Sequence, residues 1–169
     1  EHINGKKTYY QVQEEITSYY KKNSDNHDDD DEEEADEVAT AIYEILNNKS
    51  FRFDYLTLKN YHQRLFYCLD NKKYNSGVFR LYNITKDEPI LNGDTVNYQS
   101  YDMIEETLQY DFQEEKTQDY FDMNETQLIN RICEFTSRIW QVHPFQEGNT
   151  RIIAIFIQKY LISMGFKVN

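Results

Sequence analysis

A polar loop that leads into a strongly apolar helix carries the side chains best suited to chemistry. The loop runs from His143 to Arg151, and an apolar run, residues 152–157, follows it. The first turn of a helix leaves backbone N–H groups without intrahelical partners and carries the positive end of the helix dipole. Gly148 and Asn149 stand at that turn, and both tolerate a left-handed backbone that aims successive N–H groups at one point. The pattern predicts an anion site, with a phosphate as its occupant.

Three side chains around this anion site supply further chemistry. His143 is a base whose ordinary pKa lies near neutral pH. Glu147 is a hard oxygen ligand of the kind that Mg²⁺ takes, and Arg151 is a cation that can grip two oxygens at once. Together these parts indicate phosphoryl or nucleotidyl transfer. A capping cluster with an ion pair at a helix start is the simpler alternative, and the residue types alone leave it open.

The stretch also resembles a known motif, the Fic (filamentation induced by cAMP) family signature, H-x-F-x-[D/E]-G-N-G-R-x-x-R. The positions that match at the required offsets are His143, Phe145, Glu147, Gly148, Asn149 and Arg151. Two positions depart, since Thr150 replaces the second glycine and Ala154 replaces the second arginine. Several fixed identities in a loop-to-helix context favour an active site over a capping cluster.

The resemblance implies an enzyme that transfers AMP from ATP to a Ser, Thr or Tyr hydroxyl of a target protein, with Mg²⁺ as cofactor. By resemblance, His143 is the general base and Glu147 holds the Mg²⁺. Phe145 is expected to fill the core and fix the loop. The residues expected to bind the nucleotide phosphates are Gly148, Asn149 (through its side chain), Thr150 and Arg151.

Because of the two departures from the signature, the reaction is less certain to be the one usual in the family. In the family the second arginine contacts the outer phosphate of ATP and pairs with an inhibitory glutamate, and Ala154 does neither. The expected consequences are weaker triphosphate binding or a preference for another nucleotide. Residues 3–5 match the end of the inhibitory motif weakly, with Asn4 where the glutamate would stand. The alternatives are therefore a related transfer (another nucleotide, phosphate, or removal of AMP) and a non-catalytic module that binds nucleotide or target.

Charge and composition restrict the partners and the compartment. The formal net charge is -12, to which the acidic run at residues 28–34 contributes heavily. Such a chain repels nucleic acid and anionic membranes, so neither is an expected partner. The longest apolar run is too short to span a bilayer. Cys68 and Cys133 lie among apolar residues of predicted helices, which predicts buried, reduced thiols and a cytoplasmic protein.

Helical spacing of apolar residues dominates the chain and predicts a mainly α fold, a Fic-like helical bundle with one β-hairpin. The predicted helices are residues 9–22, 35–47, 54–69, 100–115, a helix capped by Asn124 that ends at Trp140, and the helix after the signature. Asn92-Gly93 between alternating apolar residues predicts the hairpin. By resemblance this hairpin, residues 84–98, is the "flap" that aligns a target segment over the site.

Two domain segments are predicted: residues 1–34, an N-terminal helix with an acidic linker, and residues 35–169, a Fic-like domain. A further family helix is expected after residue 169, so the chain is expected to be part of a longer protein. His62 lies in the third helix, where a satisfied core histidine is favoured over a second catalytic base. The expected protein target includes the chain itself, and a homo-oligomer is left open.

Overall fold

The bundle is built from helices of very unequal length. The computed structural model describes residues 7–23, 28–69, 71–87 and 89–168. The helices of this part of the chain are α1 (Tyr9–Asn23), α2 (Asp28–Asn47), α3 (Leu56–Phe66), α4 (Asn71–Tyr74), α5 (Ile104–Lys116), α6 (Glu125–Val142) and α7 (Asn149–Ser163). Strands β1 (Thr85–Asp87) and β2 (Thr95–Asn97) form a two-stranded antiparallel sheet. The mainly α architecture with one hairpin is therefore confirmed.

The helix after the signature is the centre of the core. Ile152, Ile153, Ile155 and Phe156 of α7 are buried, and this helix contacts α2, α3 and α6. Its own rings Phe156 and Tyr160 join an aromatic cluster with three rings from other parts of the chain, Phe53, Phe112 and Phe135. Aromatic side chains bury large apolar areas and prefer such tilted contacts. The N-terminus of α7, where the signature lies, is thus fixed by a well-packed helix.

The helix that precedes the signature begins as predicted. Asn124 caps α6 by accepting a hydrogen bond from the Gln127 N–H, and the Gln127 side chain accepts one from the Asn124 N–H. This reciprocal capping box satisfies two N–H groups that the helix cannot pair itself. The helix extends to Val142, two residues beyond the predicted end, and brings its C-terminus directly to His143.

The flap is a short hairpin with a long connection. Thr85 pairs with Asn97 and Lys86 pairs with Val96. Asn92 and Gly93 both have positive φ angles, 53° and 94°, as the Asn-Gly signal predicts. The connection also contains a 3₁₀ turn at Pro89–Leu91, so it is longer than a two-residue turn.

Two expectations about the periphery are wrong. The acidic residues 28–34 are not a linker, because α2 begins at Asp28 and runs through them. Acidic residues are favourable in the first turn of a helix because they face the positive end of its dipole, and the apolar-faced helix behind them supports this extension. From the sequence alone, the mutual repulsion of these acidic side chains predicts an extended linker. Residues 24–27 lie outside the described part of the chain, as does the weak inhibitory match at residues 3–5.

The two thiols are exposed instead of buried. Cys68 follows the end of α3, and Cys133 lies beside the apolar face that α6 buries through Ile132 and Phe135. One residue corresponds to about 100° around a helix, which is enough to turn Cys133 outward. In the described residues, every helix is too short or too polar to traverse a lipid bilayer.

Candidate active site

The loop between α6 and α7 turns through two left-handed residues. His143 caps α6 with φ 50° and ψ 61°, and Gly148 precedes α7 with φ 80°. At Gly148 only glycine fits, because an added Cβ would lie 2.4 Å from Cε2 of Phe66. The His143 N–H donates to the Trp140 carbonyl at 3.1 Å. The candidate base and the predicted phosphate-binding turn are therefore held by backbone geometry at opposite ends of one short loop.

Asn149 braces this loop from inside. Its Oδ1 accepts from the Phe145 N–H and its Nδ2 donates to the Phe145 carbonyl, both at 2.8 Å. The side chain is 3% exposed and its amide is committed to the backbone. The expected role of the Asn149 side chain as a phosphate donor therefore does not fit this geometry. A motif match specifies the residue but not the direction in which its amide points.

Phe145 and His62 form a stacked pair beneath the loop. Phe145 is buried, as expected, and its ring lies 3.9 Å from the His62 ring at an interplanar angle of 17°. His62 Nδ1 accepts from the Gly77 N–H at 2.9 Å, which leaves Nε2–H to donate to the Glu147 carbonyl at 3.1 Å. Burial lowers the pKa of His62 to about 4, so its ring is neutral. His62 is the satisfied core histidine that the sequence favours.

The His143 imidazole lies half-buried under the flap. It stacks on the Tyr98 ring with the centroids 4.0 Å apart, and its Nδ1 is buried without a hydrogen-bond partner. Burial, followed by the positive charge of Arg80, lowers the pKa of His143 to about 4, although Glu147 and the nearby Trp140 carbonyl act in the opposite direction. The ring is therefore neutral near pH 7 and keeps a lone pair for a proton.

Arg80, which precedes the flap, binds the backbone around His143. It is 2% exposed. Its Nε donates to the His143 carbonyl at 2.8 Å and one Nη donates to the Val142 carbonyl at 3.2 Å. The Arg80 N–H also donates to the Pro144 carbonyl at 2.9 Å. The sequence offers no signal for this role, because the contacts join residues more than sixty positions apart.

The Glu147 carboxylate occupies the start of α7. Its Oε1 accepts from the Gly148 N–H at 3.0 Å and lies 3.9 Å from an Nη of Arg151. Glu147 and Thr150 are both exposed. One N–H at the start of α7 is thus paired with a carboxylate of the same loop, and phosphate binding at this turn stays a prediction.

Arg151 is also paired with a carboxylate from α2. Its Nη1 lies 3.4 Å from Oε1 of Glu34, and its other Nη donates to the Tyr74 hydroxyl at 3.0 Å. Glu34 further binds Lys73 Nζ at 2.7 Å and accepts a hydrogen bond from the Tyr74 hydroxyl. Burial alone would raise the pKa of Glu34, but the hydrogen bonds from Lys73 and Tyr74 outweigh it and hold the pKa below its usual range.

The donor set suits Mg²⁺ bound together with a nucleotide. In the described ranges, no three His, Cys, Asp or Glu side chains cluster as a metal site. Mg²⁺ commonly takes one or two carboxylates and fills its remaining positions with phosphate oxygens and water. The exposed carboxylate of Glu147, beside the predicted phosphate-binding turn, fits that pattern.

A model of the Fic/DOC family matches residues 52–161, which include the flap, α6, the signature and most of α7. The chain belongs to the Fic/DOC family. No curated protein sequence matches it. A similar solved structure is the N-terminal Fic domain of the Bartonella effector protein (Bep) from Bartonella sp. AR 15-3. The two chains share 19% identity with a TM-score of 0.68, over 85% of this chain and 67% of that one, and the likeness shows a common fold.

As a Fic/DOC site, the cluster differs in part from the one predicted. Glu147 contacts Arg151 and the Gly148 N–H, its charge acts on His143, and the Asn149 amide binds the backbone of the loop. Ala154 is exposed, one turn beyond Arg151. The residues that sequence analysis missed are Glu34, Tyr74, Arg80 and Tyr98. Only the position of Tyr98 at the end of the predicted flap could have indicated its place.

Proposed function

We propose that this Fic/DOC protein is a nucleotidyltransferase that moves AMP from ATP to a hydroxyl side chain of a target protein in the cytoplasm. The observation that carries the proposal is the placement of a neutral imidazole under the flap, one short loop away from the anion-binding start of α7. A protein that only bound nucleotide would need the anion site but not a base beneath a strand pair.

His143 has the state that a general base needs. Its imidazole is uncharged near pH 7, so it accepts the proton of a target hydroxyl as that oxygen bonds to the α-phosphorus. The bond between the α-phosphorus and the bridging oxygen then breaks, and pyrophosphate leaves. A pKa near 4 makes a weak base, but the negative charge of bound phosphates raises the pKa toward a more effective value.

The phosphate side of the reaction belongs to the start of α7. The N–H groups of its first turn and the guanidinium of Arg151 would hold phosphate oxygens before the reaction begins. Glu147 would hold Mg²⁺ together with phosphate oxygens, and that ion supplies charge neutralisation as pyrophosphate departs. Phe145 and Asn149 contribute rigidity, since both are buried and tied to each other.

The flap supports a protein as the second substrate. A cavity of about 290 Å³ opens at its base, lined by Asn97, Tyr98 and Gln99 on one side and by Arg138 and Gln141 of α6 on the other. A target segment paired with the hairpin edge could place one side chain there while its hydroxyl faces His143.

The test is intact-mass spectrometry after incubation with Mg²⁺ and each nucleoside triphosphate, using the chain and a peptide library that displays Ser, Thr and Tyr. A mass gain of AMP is expected with ATP. The control is His143→Asn, because asparagine tolerates the left-handed backbone of residue 143 better than alanine does. That variant should bind nucleotide and fail to transfer. Equal transfer by the variant would remove His143 from the mechanism.

A related transfer is the second candidate, and the absence of an arginine at residue 154 favours it. The exposed Ala154 supplies no charge for an outer phosphate. A donor with fewer phosphates or another base would then compete with ATP. Because the assay uses each triphosphate separately, the added mass names the group that is transferred.

A further inference from the structure

One buried guanidinium binds four backbone carbonyls. Arg80 donates through Nε to His143 and through Nη1 to Tyr82, both at 2.8 Å, and through Nη2 to Gln99 and Val142. It is 2% exposed, and among the residues that the structure describes no carboxylate pairs with it. Burying a charge is costly unless its hydrogen bonds are satisfied, so these carbonyls replace the missing counter-charge.

The four carbonyls belong to two separate parts of the molecule. Tyr82 precedes β1 and Gln99 follows β2, so the two ends of the flap meet on the same side chain. Val142 and His143 form the end of α6, where carbonyls lack intrahelical partners and carry the negative end of the dipole. A cation is the complementary group at that position.

We propose that Arg80 is a positioning residue that couples the flap to the catalytic base, because one guanidinium holds both ends of the flap and the backbone carbonyl of His143. The identity of His143 as the base rests on the proposed function, whereas the coupling rests on the hydrogen bonds alone. Binding of a target segment to the flap is then transmitted to the imidazole through one side chain.

Only arginine has the geometry for this role. Its planar guanidinium presents five N–H donors in fixed directions, and the four carbonyls accept from donors in those directions. Lysine retains the charge but has a single nitrogen that cannot reach all four. Burial lowers the pKa of Arg80, yet arginine starts so far above neutral pH that it stays charged.

The coupling has an electrostatic part as well. The charged groups that face His143 are Arg80 before the flap, Lys86 on β1 and Glu147 in the signature loop, and the Trp140 carbonyl approaches from α6. The two cations lower the imidazole pKa, while Glu147 and the carbonyl raise it. Removal of the Arg80 charge should therefore move the pKa of His143 upward, and a lysine at that position should largely retain the shift.

Three variants distinguish the effect of the planar guanidinium from the effect of its charge. They also distinguish both from a general loss of stability. Arg80→Met removes the planar guanidinium and the charge, and Arg80→Lys removes only the planar guanidinium. Lys159→Met is the matched control, since Lys159 is a second buried cation, 4% exposed, that donates to the Asn48 carbonyl on α2's side of the bundle. The unfolding midpoint of each variant is measured first, so that local effects are read against comparable stability.

Two measurements on the unliganded chain test the proposal. In Arg80→Met and Arg80→Lys, amide hydrogen exchange of residues 85–97 should accelerate by about tenfold or more, as expected for the loss of charge-assisted hydrogen bonds. The NMR titration of the His143 imidazole, assigned with His143→Asn, should shift upward in Arg80→Met and much less in Arg80→Lys. Lys159→Met should change neither quantity.

Unchanged hydrogen exchange in both Arg80 variants would show that Arg80 does not hold the flap. An unchanged His143 titration in Arg80→Met would show that Arg80 does not act on the imidazole. If Arg80→Met fails to fold, Arg80→Lys still tests the planar guanidinium through exchange. None of these measurements uses turnover. A failure of the transfer reaction and a failure of the coupling are therefore distinguished.

Discussion

At the scale of single residues, Arg151 is held on two sides by carboxylates of its own chain. Glu34 approaches it from α2 at 3.4 Å, and Glu147 approaches from the loop at 3.9 Å. The Arg151 guanidinium also lies over the Phe66 ring, 4.8 Å from its centroid. A nucleotide phosphate that binds Arg151 must therefore compete with Glu34 for the same donors.

Glu34→Gln should tighten MgATP binding several-fold. The change removes the negative charge that pairs with Arg151 beside the predicted phosphate site, and it keeps the shape of the side chain. Arg151 is then bound less strongly by residue 34 and more available to a phosphate. Isothermal titration with MgATP measures the effect. Glu32→Gln is the control, because Glu32 is exposed on the same helix and its loss changes the net charge equally. Equal affinities of the two variants would show that only net charge matters.

Residue types predicted much of the site but not the direction of each side chain. Glu147 contacts both Gly148 and Arg151, and its charge acts on the His143 imidazole, while the catalytic and binding roles of these residues stay predictions. Asn149 does not, because hydrogen bonds to Phe145 satisfy its amide within the loop. Contacts between distant parts of the chain, such as that of Arg80 with His143, follow from the packing and leave no local pattern to read.

At the scale of elements, α3 supports the signature loop through one histidine. His62 spans from the Gly77 N–H to the Glu147 carbonyl and stacks on Phe145. Only the neutral ring can accept from one partner and donate to the other. Protonation of His62 therefore breaks the contact with Gly77 and loosens the loop from below.

The stability of the chain should fall as pH drops from about 6.5 to about 4. His62 has a pKa of about 4 in the folded protein and an ordinary value near 6.5 when unfolded, so in this range the unfolded chain binds the extra proton. His62 contributes at most about 1.4 kcal/mol per pH unit to the slope, the limit for a difference of one bound proton. Urea unfolding at several pH values measures it.

His62→Gln is the matched variant for this slope, since its amide can accept from Gly77 and donate to Glu147 without titrating. Its free energy of unfolding should depend less steeply on pH than that of the parent chain. His143→Asn should reduce the slope as well, because His143 also has a pKa of about 4. A slope that neither substitution alters would assign the acid sensitivity to carboxylates.

The types of the secondary-structure elements were more predictable than the residues at which they begin and end. Periodic apolar spacing located the long helices, and the cap at Asn124 was read directly from the sequence. The start of α2 was missed because an acidic run has no apolar face, and the helix through it depends on the residues that follow. Glu34, the residue of that run that contacts the site, was missed with it.

At the scale of the whole molecule, α1 lies outside the main core. It packs against α2, whereas the buried apolar cluster is formed by residues from Val38 onward. Tyr20 of α1 donates to Asp36 at 2.9 Å, and Gln13 donates to the Glu37 carbonyl at 3.3 Å. These polar contacts attach α1 to α2, and Tyr9 at the start of α1 packs against the edge of the buried cluster.

Deletion of residues 1–23 should leave a cooperatively folding bundle that binds nucleotide like the parent chain. The core of α2 to α7 is intact in that variant, and Glu34 remains in place. Deletion of residues 1–34 should instead resemble Glu34→Gln and bind MgATP more tightly. Thermal unfolding and titration of the two deletions measure this. Loss of cooperative unfolding in the shorter deletion would show that α1 belongs to the core.

The whole fold was predictable because the signature and the helical periodicity point to the same architecture. Helices of strong apolar spacing and a single hairpin agree with the Fic/DOC match over residues 52–161. The exposed thiols show the limit of this approach, since Cys133 misses the buried face of α6 by one position. Burial at the edge of a helix face depends on the neighbouring element and not on the local sequence.

The position of Trp140 makes it useful as a fluorescent probe. It is the one tryptophan of the chain, 45% exposed, and its carbonyl accepts from the His143 N–H in the last turn of α6. Selective excitation of an indole reports on its immediate surroundings. The chain thus contains an intrinsic fluorophore three residues before the proposed base, and the binding of the proposed nucleotide can be tested through its emission without an attached dye.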